Sequence, residues 1–304
     1  MILSMFTINS FSEFAKPMRQ HFETRFKDPR STRADRFIWD YWHVPGQYTA
    51  LRTPAYHFFP KKLYDSFHQQ LVWWGRRNLG CHDISPPWMS CYIEGCKQQL
   101  HGDLPHGPWA FVFSLTPWQK RLFQGGETLL IKEPILSYWQ SLAGQKGLEH
   151  GDIFDEVEPL FNRLTVFDPR IPHGVKEVRG VHDVLQGRLV IHGWFVEPRP
   201  FIEGALLPRE LQPVLDDLSG FMNGIFSSGQ WPQVQGVLSV RLNIEPQGTV
   251  SNVKVLSNSL RDSSSEVETS KMITKVILKV LKRASFSKKK TKSTVTLPLI
   301  FQAE

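Results

Sequence analysis

A chain of 304 residues with 41% hydrophobic and 12% aromatic side chains has the material for a large core, which excludes an intrinsically disordered protein. Its net charge of +7 raises the question of nucleic acid. Much of the surplus, however, sits in one late run, Lys288–Lys292, which reads as a solvated loop rather than a nucleic-acid interface.

Three cysteines, Cys81, Cys91 and Cys96, make no disulfide framework, and Cys91-x4-Cys96 finds no second pair to complete a zinc site. The opening MILSMFTINSF lacks the basic and sustained apolar regions of a signal peptide. No apolar run reaches the roughly 18 residues that a membrane span needs. These features set the expectation of a cytoplasmic protein.

Residues 1–35 are polar, with helix-like spacing at Phe11, Phe14 and Met18, and Arg33–Trp42 is basic and aromatic. Pro60–Leu79 reads as a helix, because Leu63, Phe67, Leu71 and Trp74 recur at three- and four-residue intervals before Gly80. From Ser90 the pattern changes to short runs, SCYIEG, WAFVFSL, TLLI, LTVF and RLVIHGWFV. They are rich in β-branched or aromatic residues and bounded by Gly, Pro or Asp, as in an all-β sandwich or barrel. Past Pro200 come a connecting segment with a short helix around Leu211–Leu218 and a hairpin, VLSVRLNIEP and TVSNVKVLS, about Gln247-Gly248. A helix over Met272–Leu281 and a closing strand, TVTLPLIF, complete a small α+β unit.

The feature that carries chemistry is His101-x-Asp103. Alternate residues of a strand face one side, so an imidazole and a carboxylate at this spacing can grip one ion. A second His from a distant strand would complete a facial triad with open positions, the mark of Fe(II) oxygenases. His150-Gly-Asp152 and His21-x-Glu23 compete for the role. Only 23 residues separate His150 from His173, too few for the strands between, whereas 72 separate His101 from His173. His150 also precedes an acidic stretch, DIFDEVEP, that reads as exposed.

The surroundings of these residues resemble a known family. Tyr92-x-x-Gly95 comes first, then Gly125-Gly126-Glu127-Thr128, then Asn162-Arg163-Leu164 through Phe167, His173 within IPHGV, and Arg188 opening RLVIHGWF. This order is similar to the prolyl-4-hydroxylase-like family of Fe(II)/2-oxoglutarate dioxygenases, over residues 88–197. The resemblance implies a mainly β fold with flanking helices: a double-stranded β-helix, or jelly roll, followed by the small α+β domain. It implies His101, Asp103 and His173 as metal ligands. Arg188 would pair with the distal carboxylate of 2-oxoglutarate, with Tyr92 and Thr128 at the same co-substrate. Arg188 follows His173 by 15 residues, which implies an inserted loop over Val181–Gln186 and leaves Arg179 as a competitor. Trp194 is expected in the core, and His106 and His192 are not carried into the site.

The implied cofactors are Fe(II), 2-oxoglutarate and O2, with ascorbate in support. The implied reaction hydroxylates an unactivated C–H bond, in a peptidyl residue with proline first, and releases succinate and CO2. Trp73-Trp74, Trp109 and Trp118 would either floor a peptide groove or pack the core. A small-molecule hydroxylase and a non-catalytic ligand- or protein-binding barrel are the alternatives, and a zinc-dependent hydrolase or lyase on a similar barrel is disfavoured because those sites usually use more His ligands. The division expected is 1–204 for the oxygenase and 205–304 for the α+β domain. The latter resembles, more loosely, the C-terminal domain of TonB, which implies binding of a partner or dimerisation, with the last strand as a pairing edge.

Overall fold

Short apolar runs punctuated by glycine and proline become strands here because each buries a face against a second layer. The computed structural model describes residues 4–27, 39–103, 106–132, 135, 149–227, 234–262 and 268–302. Two units emerge, Met5–Leu71 with Ile84–Val196, and Val72–Asp83 with Glu197–Glu304.

In chain order the elements are β1 (Met5–Ile8), α1 (Ala15–Phe26), β2 (Asp40–Val44), β3 (Tyr48–Pro54), α2 (Ala55–Phe58), α3 (Lys61–Asn78), β4 (Cys81–Ile84), β5 (Trp88–Tyr92) and β6 (Lys97–His101). There follow β7 (Trp109–Ser114), β8 (Thr128–Ile131), α4 (His150–Ile153), β9 (Phe154–Val157), β10 (Leu164–Phe167), β11 (His173–Val175) and β12 (Arg188–Pro198). The strands form one curled antiparallel sheet, β1-β10-β7-β12-β5-β3-β6-β11-β8-β9, whose two facing walls, the two sheets of the roll, are β10-β7-β12-β5 and β6-β11-β8-β9. Successive strands mostly alternate between the sheets: β5, β7, β10 and β12 lie in one, β6, β8, β9 and β11 in the other. That alternation is the double-stranded β-helix, and the fold class is therefore the jelly roll expected from the sequence.

The hairpin β2–β3 was not evident in the sequence. It joins the two sheets, because β3 pairs with β6 at Tyr48 and Thr49 and with β5 from Leu51 to Pro54. On the outer face of β7, Phe113 is fully buried against Phe67 of α3, with ring centroids 4.8 Å apart. Burying each such side chain contributes roughly 2–3 kcal/mol. The helix read from the spacing of Leu63, Phe67 and Leu71 is thus α3, and Gly80 ends it at φ +72°. The acidic stretch read as exposed has Asp152, Glu156 and Glu158 in solvent and supplies β9, an edge strand paired with β8.

The second unit adds β13 (Phe201–Gly204), α5 (Pro208–Ser227), β14 (Val234–Ile244), β15 (Val250–Asn258), β16 (Arg261–Asp262), α6 (Glu268–Arg283) and β17 (Ser293–Phe301). Its sheet runs β13-β17-β14-β15, and Leu238, Val240, Ile273, Ile277, Val295 and Leu297 form its core. The helix expected around Leu211–Leu218 spans 20 residues as α5 and passes through Pro213. The last strand lies between β13 and β14 over Ser293–Thr296 and is paired with β14 alone over Leu297–Phe301, while β13 and β15 end the sheet.

Candidate metal centre and its cavity

His101 ends β6 and His173 begins β11, and the two are partners in the antiparallel register. Their close approach requires Gly174, where a Cβ would come within 2.5 Å of the Gln98 carbonyl oxygen. Asp103 lies two residues beyond the end of β6, held by a hydrogen bond from its backbone N–H to Pro169 O at 2.9 Å. His101 Nε2 is 3.3 Å from Asp103 Oδ1, and His173 Nε2 is 3.3 Å from Asp103 Oδ2. Among the described residues these three form a group whose ligand atoms all lie within 4.8 Å of one another.

Each imidazole is oriented from behind. Nδ1 of His101 meets Gln99 O at 2.9 Å, and Nδ1 of His173 meets Ile171 O at 2.8 Å. A carbonyl at Nδ1 takes the N–H there and leaves the lone pair on Nε2, the arrangement that prepares a His for a metal. Burial raises the Asp103 carboxyl, but hydrogen bonds with His101 and His173, and their charge, outweigh it and hold the group below the ordinary carboxylate range. Burial lowers His101, while the Asp103 carboxylate and the Gln99 carbonyl outweigh it and hold this imidazole above its ordinary value. Two ligands at right angles on an ion about 2.1 Å away stand about 3 Å apart, so the donor set fits a divalent metal.

The three residues open into a cavity of about 420 Å³ between the sheets. Its lining includes Tyr92 and Trp88 of β5, Val112 of β7, Thr128 of β8, and Arg188, Val190 and His192 of β12. Arg188 is 1% exposed. Its Nη2 donates to Thr128 Oγ1 at 3.1 Å, and its guanidinium carbon lies 4.7 Å from the centre of the Tyr92 ring. Nε and Nη1 are buried with no hydrogen-bond partner. Burial lowers Arg188 from its ordinary value, with Tyr92 and Glu127 opposing, and a guanidinium remains a cation even so. A buried cation with two empty donors calls for an anion.

Arg179 is ruled out of this cavity. It is 68% exposed and pairs with Glu177 at 3.0 Å. His150 is likewise exposed, beside Glu156 at 3.1 Å, and His21 meets the Phe58 carbonyl at 3.3 Å. Trp109 and Trp118 are fully buried core residues rather than a groove floor, because both rings are enclosed on every side. Trp194, expected in the core, lines the cavity and stacks near His106, with centroids 4.5 Å apart.

Two lining residues were not expected in the site: His192, named in the sequence but not carried into it, and Arg52, which was missed. His192 is pushed down to about 3 by burial and by the charges of Arg188 and Arg52, and its Nε2 lies 2.8 Å from Ser90 Oγ. Arg52 of β3 packs against Trp42 and Trp88, 3.5 Å and 4.4 Å from their ring centres. The signal that marks this hairpin is Pro45-Gly46 between two aromatic runs.

No family model matches the chain, and no curated protein matches it. Solved structures do. A prolyl-4-hydroxylase from Pseudomonas putida matches at 16% identity and TM-score 0.43, over 64% of this chain and 93% of that one. A prolyl hydroxylase from Trichoplax adhaerens, in complex with a peptide fragment of the hypoxia-inducible factor oxygen degradation domain, matches at 18% and 0.42, over 64% and 83%. HygX from Streptomyces hygroscopicus, with nickel and 2-oxoglutarate bound, matches at 12% and 0.41, over 62% and 81%. Likeness at this level assigns neither reaction nor substrate, which must come from the chain's own residues.

Proposed function

We propose that this chain is an Fe(II)- and 2-oxoglutarate-dependent dioxygenase that hydroxylates an unactivated C–H bond. The observation that carries this reading is one cavity holding both a His101–Asp103–His173 cluster and a buried guanidinium with two unpartnered nitrogens.

His101, Asp103 and His173 would hold the metal, their Nε2 and carboxylate oxygens already converging. Fe(II) with 2-oxoglutarate and O2 supplies, when bound, oxidative decarboxylation to succinate and CO2 coupled to insertion of oxygen into the substrate C–H bond. Arg188 would pair with the distal carboxylate by a charge-assisted contact in a water-poor pocket, its Nε and Nη1 being the donors still without partners. Thr128 fixes the fork by accepting from Nη2. Tyr92 supports the guanidinium with its ring face. Val112, Val175 and Val190 wall the cavity and exclude water from the reacting atoms. No side chain need act as a nucleophile.

A peptidyl residue, proline first, is the target that the motif resemblance supports. A small molecule is the second reading, favoured by a cavity volume in the ordinary range for such ligands. We assign the oxygenase function to the unit of Met5–Leu71 and Ile84–Val196, which ends a few residues before the expected boundary at 204, and an accessory, partner-binding or dimerising role to the unit that contains Glu197–Glu304, supported by the edge strand β15. The cysteines Cys81, Cys91 and Cys96 are free and buried, in keeping with a cytoplasmic setting. No described helix is long and apolar enough to cross a membrane.

The test is succinate formation from 2-oxoglutarate by the purified protein with Fe(II) and ascorbate, alone and with cell-derived peptides. His101→Ala and Asp103→Ala should each abolish it without loss of fold, as read by circular dichroism. Turnover retained in both variants would end the assignment.

A further inference from the structure

The cavity lining contains three permanently charged side chains among the described residues, Asp103, Arg188 and Arg52. Under the function proposed above, a divalent metal and Arg188 balance Asp103 and the two carboxylates of 2-oxoglutarate. Glu127, outside the lining, acts on Arg188, and Arg52 is then the cation of the lining that metal and 2-oxoglutarate leave without a role, its neighbour His192 being held neutral by burial and by the two arginines.

Arg52 is placed by the sheet and not by chance. It sits opposite Ser90 in the β3–β5 register, and Ser90 sits opposite Val190 of β12, so its side chain belongs to the cavity-facing row. Trp42 and Trp88 hold the guanidinium by its faces, which orients the planar fork while leaving its edge free. Nε is buried and has no hydrogen-bond partner. Asp40, its partner on β2, is exposed; its charge favours the Arg52 cation from solvent, but no salt bridge joins the two among the described residues. A stacked, oriented guanidinium without a salt bridge, in the lining of the cavity that also holds His101, Asp103 and His173, is a receptor for a planar oxyanion.

We infer that Arg52 is a specificity-determining residue that binds a carboxylate of the substrate hydroxylated at this site, so that the substrate is an acid. The carboxylate is carried either by a small molecule or by an acidic residue of a peptide. Its seat is the same in both cases, at the β2–β3 hairpin.

The test is binding, measured by calorimetry on the protein loaded with Mn(II) and 2-oxoglutarate, which prevents turnover. Probes are matched pairs of small aliphatic, aromatic and N-acetylated amino acids with their primary amides, and proline peptides carrying Glu with the same peptides carrying Gln. A charge-assisted hydrogen bond predicts an acid-over-amide preference of about tenfold or more in one of the two sets. The set that shows it identifies the source of the carboxylate. Arg52→Gln should reduce the preference to about twofold or less, with 2-oxoglutarate binding retained. Arg52→Lys, which keeps the charge and guards against a folding defect, should leave it intermediate. A residue that only braced the hairpin would shift the melting temperature and leave the acid-to-amide ratio alone. An unchanged ratio in both variants, or no preference in the wild type, overturns the inference. Failure of wild-type protein to bind 2-oxoglutarate brings down the function on which it rests, and the inference with it.

Discussion

Arg188 is costly to the protein that lacks its ligand. Two of its nitrogens are buried without partners, and an uncompensated buried charge destabilises by several kcal/mol. Replacing it by Met should therefore raise the melting temperature of the ligand-free protein, while the stabilisation that 2-oxoglutarate gives to wild type disappears. A thermal melt of each protein with and without 2-oxoglutarate reads both effects; a lower melting temperature in the ligand-free variant would mean that the guanidinium is satisfied after all. His192 gives the pH dependence. Its folded value, about 3, lies well below the ordinary 6.5, so between those values the unfolded chain holds a proton that the folded chain does not. Stability must then fall as pH falls from about 6.5 toward 3. His192→Gln should flatten that part of the profile in denaturant melts at stepped pH, and an unaltered slope would show that His192 titrates normally.

Among the elements, the grouping of His101, Asp103 and His173 depends on how closely β6 and β11 approach. Gly174 permits the approach, since any side chain there meets the Gln98 carbonyl. Gly174→Val should cost about 1–3 kcal/mol from overpacking. It should also weaken metal binding, because His101 and His173 face each other across this strand pair. Urea melts and a Mn(II) titration check the two parts; a variant that loses stability but keeps metal affinity would separate the glycine from the site. The strand ladder also explains what could be read in advance. β7 and β12 announce themselves as WAFVFS and RLVIHGWFV because both faces are covered. β6, KQQLH, is half-solvated and reads as polar loop, although it carries a ligand. The hairpin that brings Arg52 to the cavity was invisible for a similar reason: Asp40, Tyr41 and His43 of β2 face solvent and mask the alternation.

Across the whole molecule, the jelly roll and the α+β unit follow from composition shifts near Ser90 and Pro200, and His101, Asp103 and His173 from spacing and motif order. What sequence spacing could not supply is which basic group enters the cavity. Arg179 and Arg188 stand nine positions apart, and only packing separates a solvent-exposed ion pair from a buried, unpaired cation. The second unit is legible as an architecture, with strand, hairpin and helix where periodicity puts them. Its partner is not, because an edge strand offers backbone groups that any extended chain can meet. The site's electrostatics are a property of the ensemble of layers: Arg52 comes from the added hairpin, Arg188 from one sheet, and the metal cluster mainly from the other.

The central claim is that metal and 2-oxoglutarate share this cavity, and the most direct measurement is calorimetric titration of 2-oxoglutarate into the purified protein with and without Mn(II). One site per chain is expected, strongly metal-dependent, with affinity reduced by roughly 30-fold or more in Arg188→Met, as loss of a buried charge-assisted contact requires. Absence of binding to the metal-loaded wild type, or binding that Arg188→Met leaves unchanged, would contradict it.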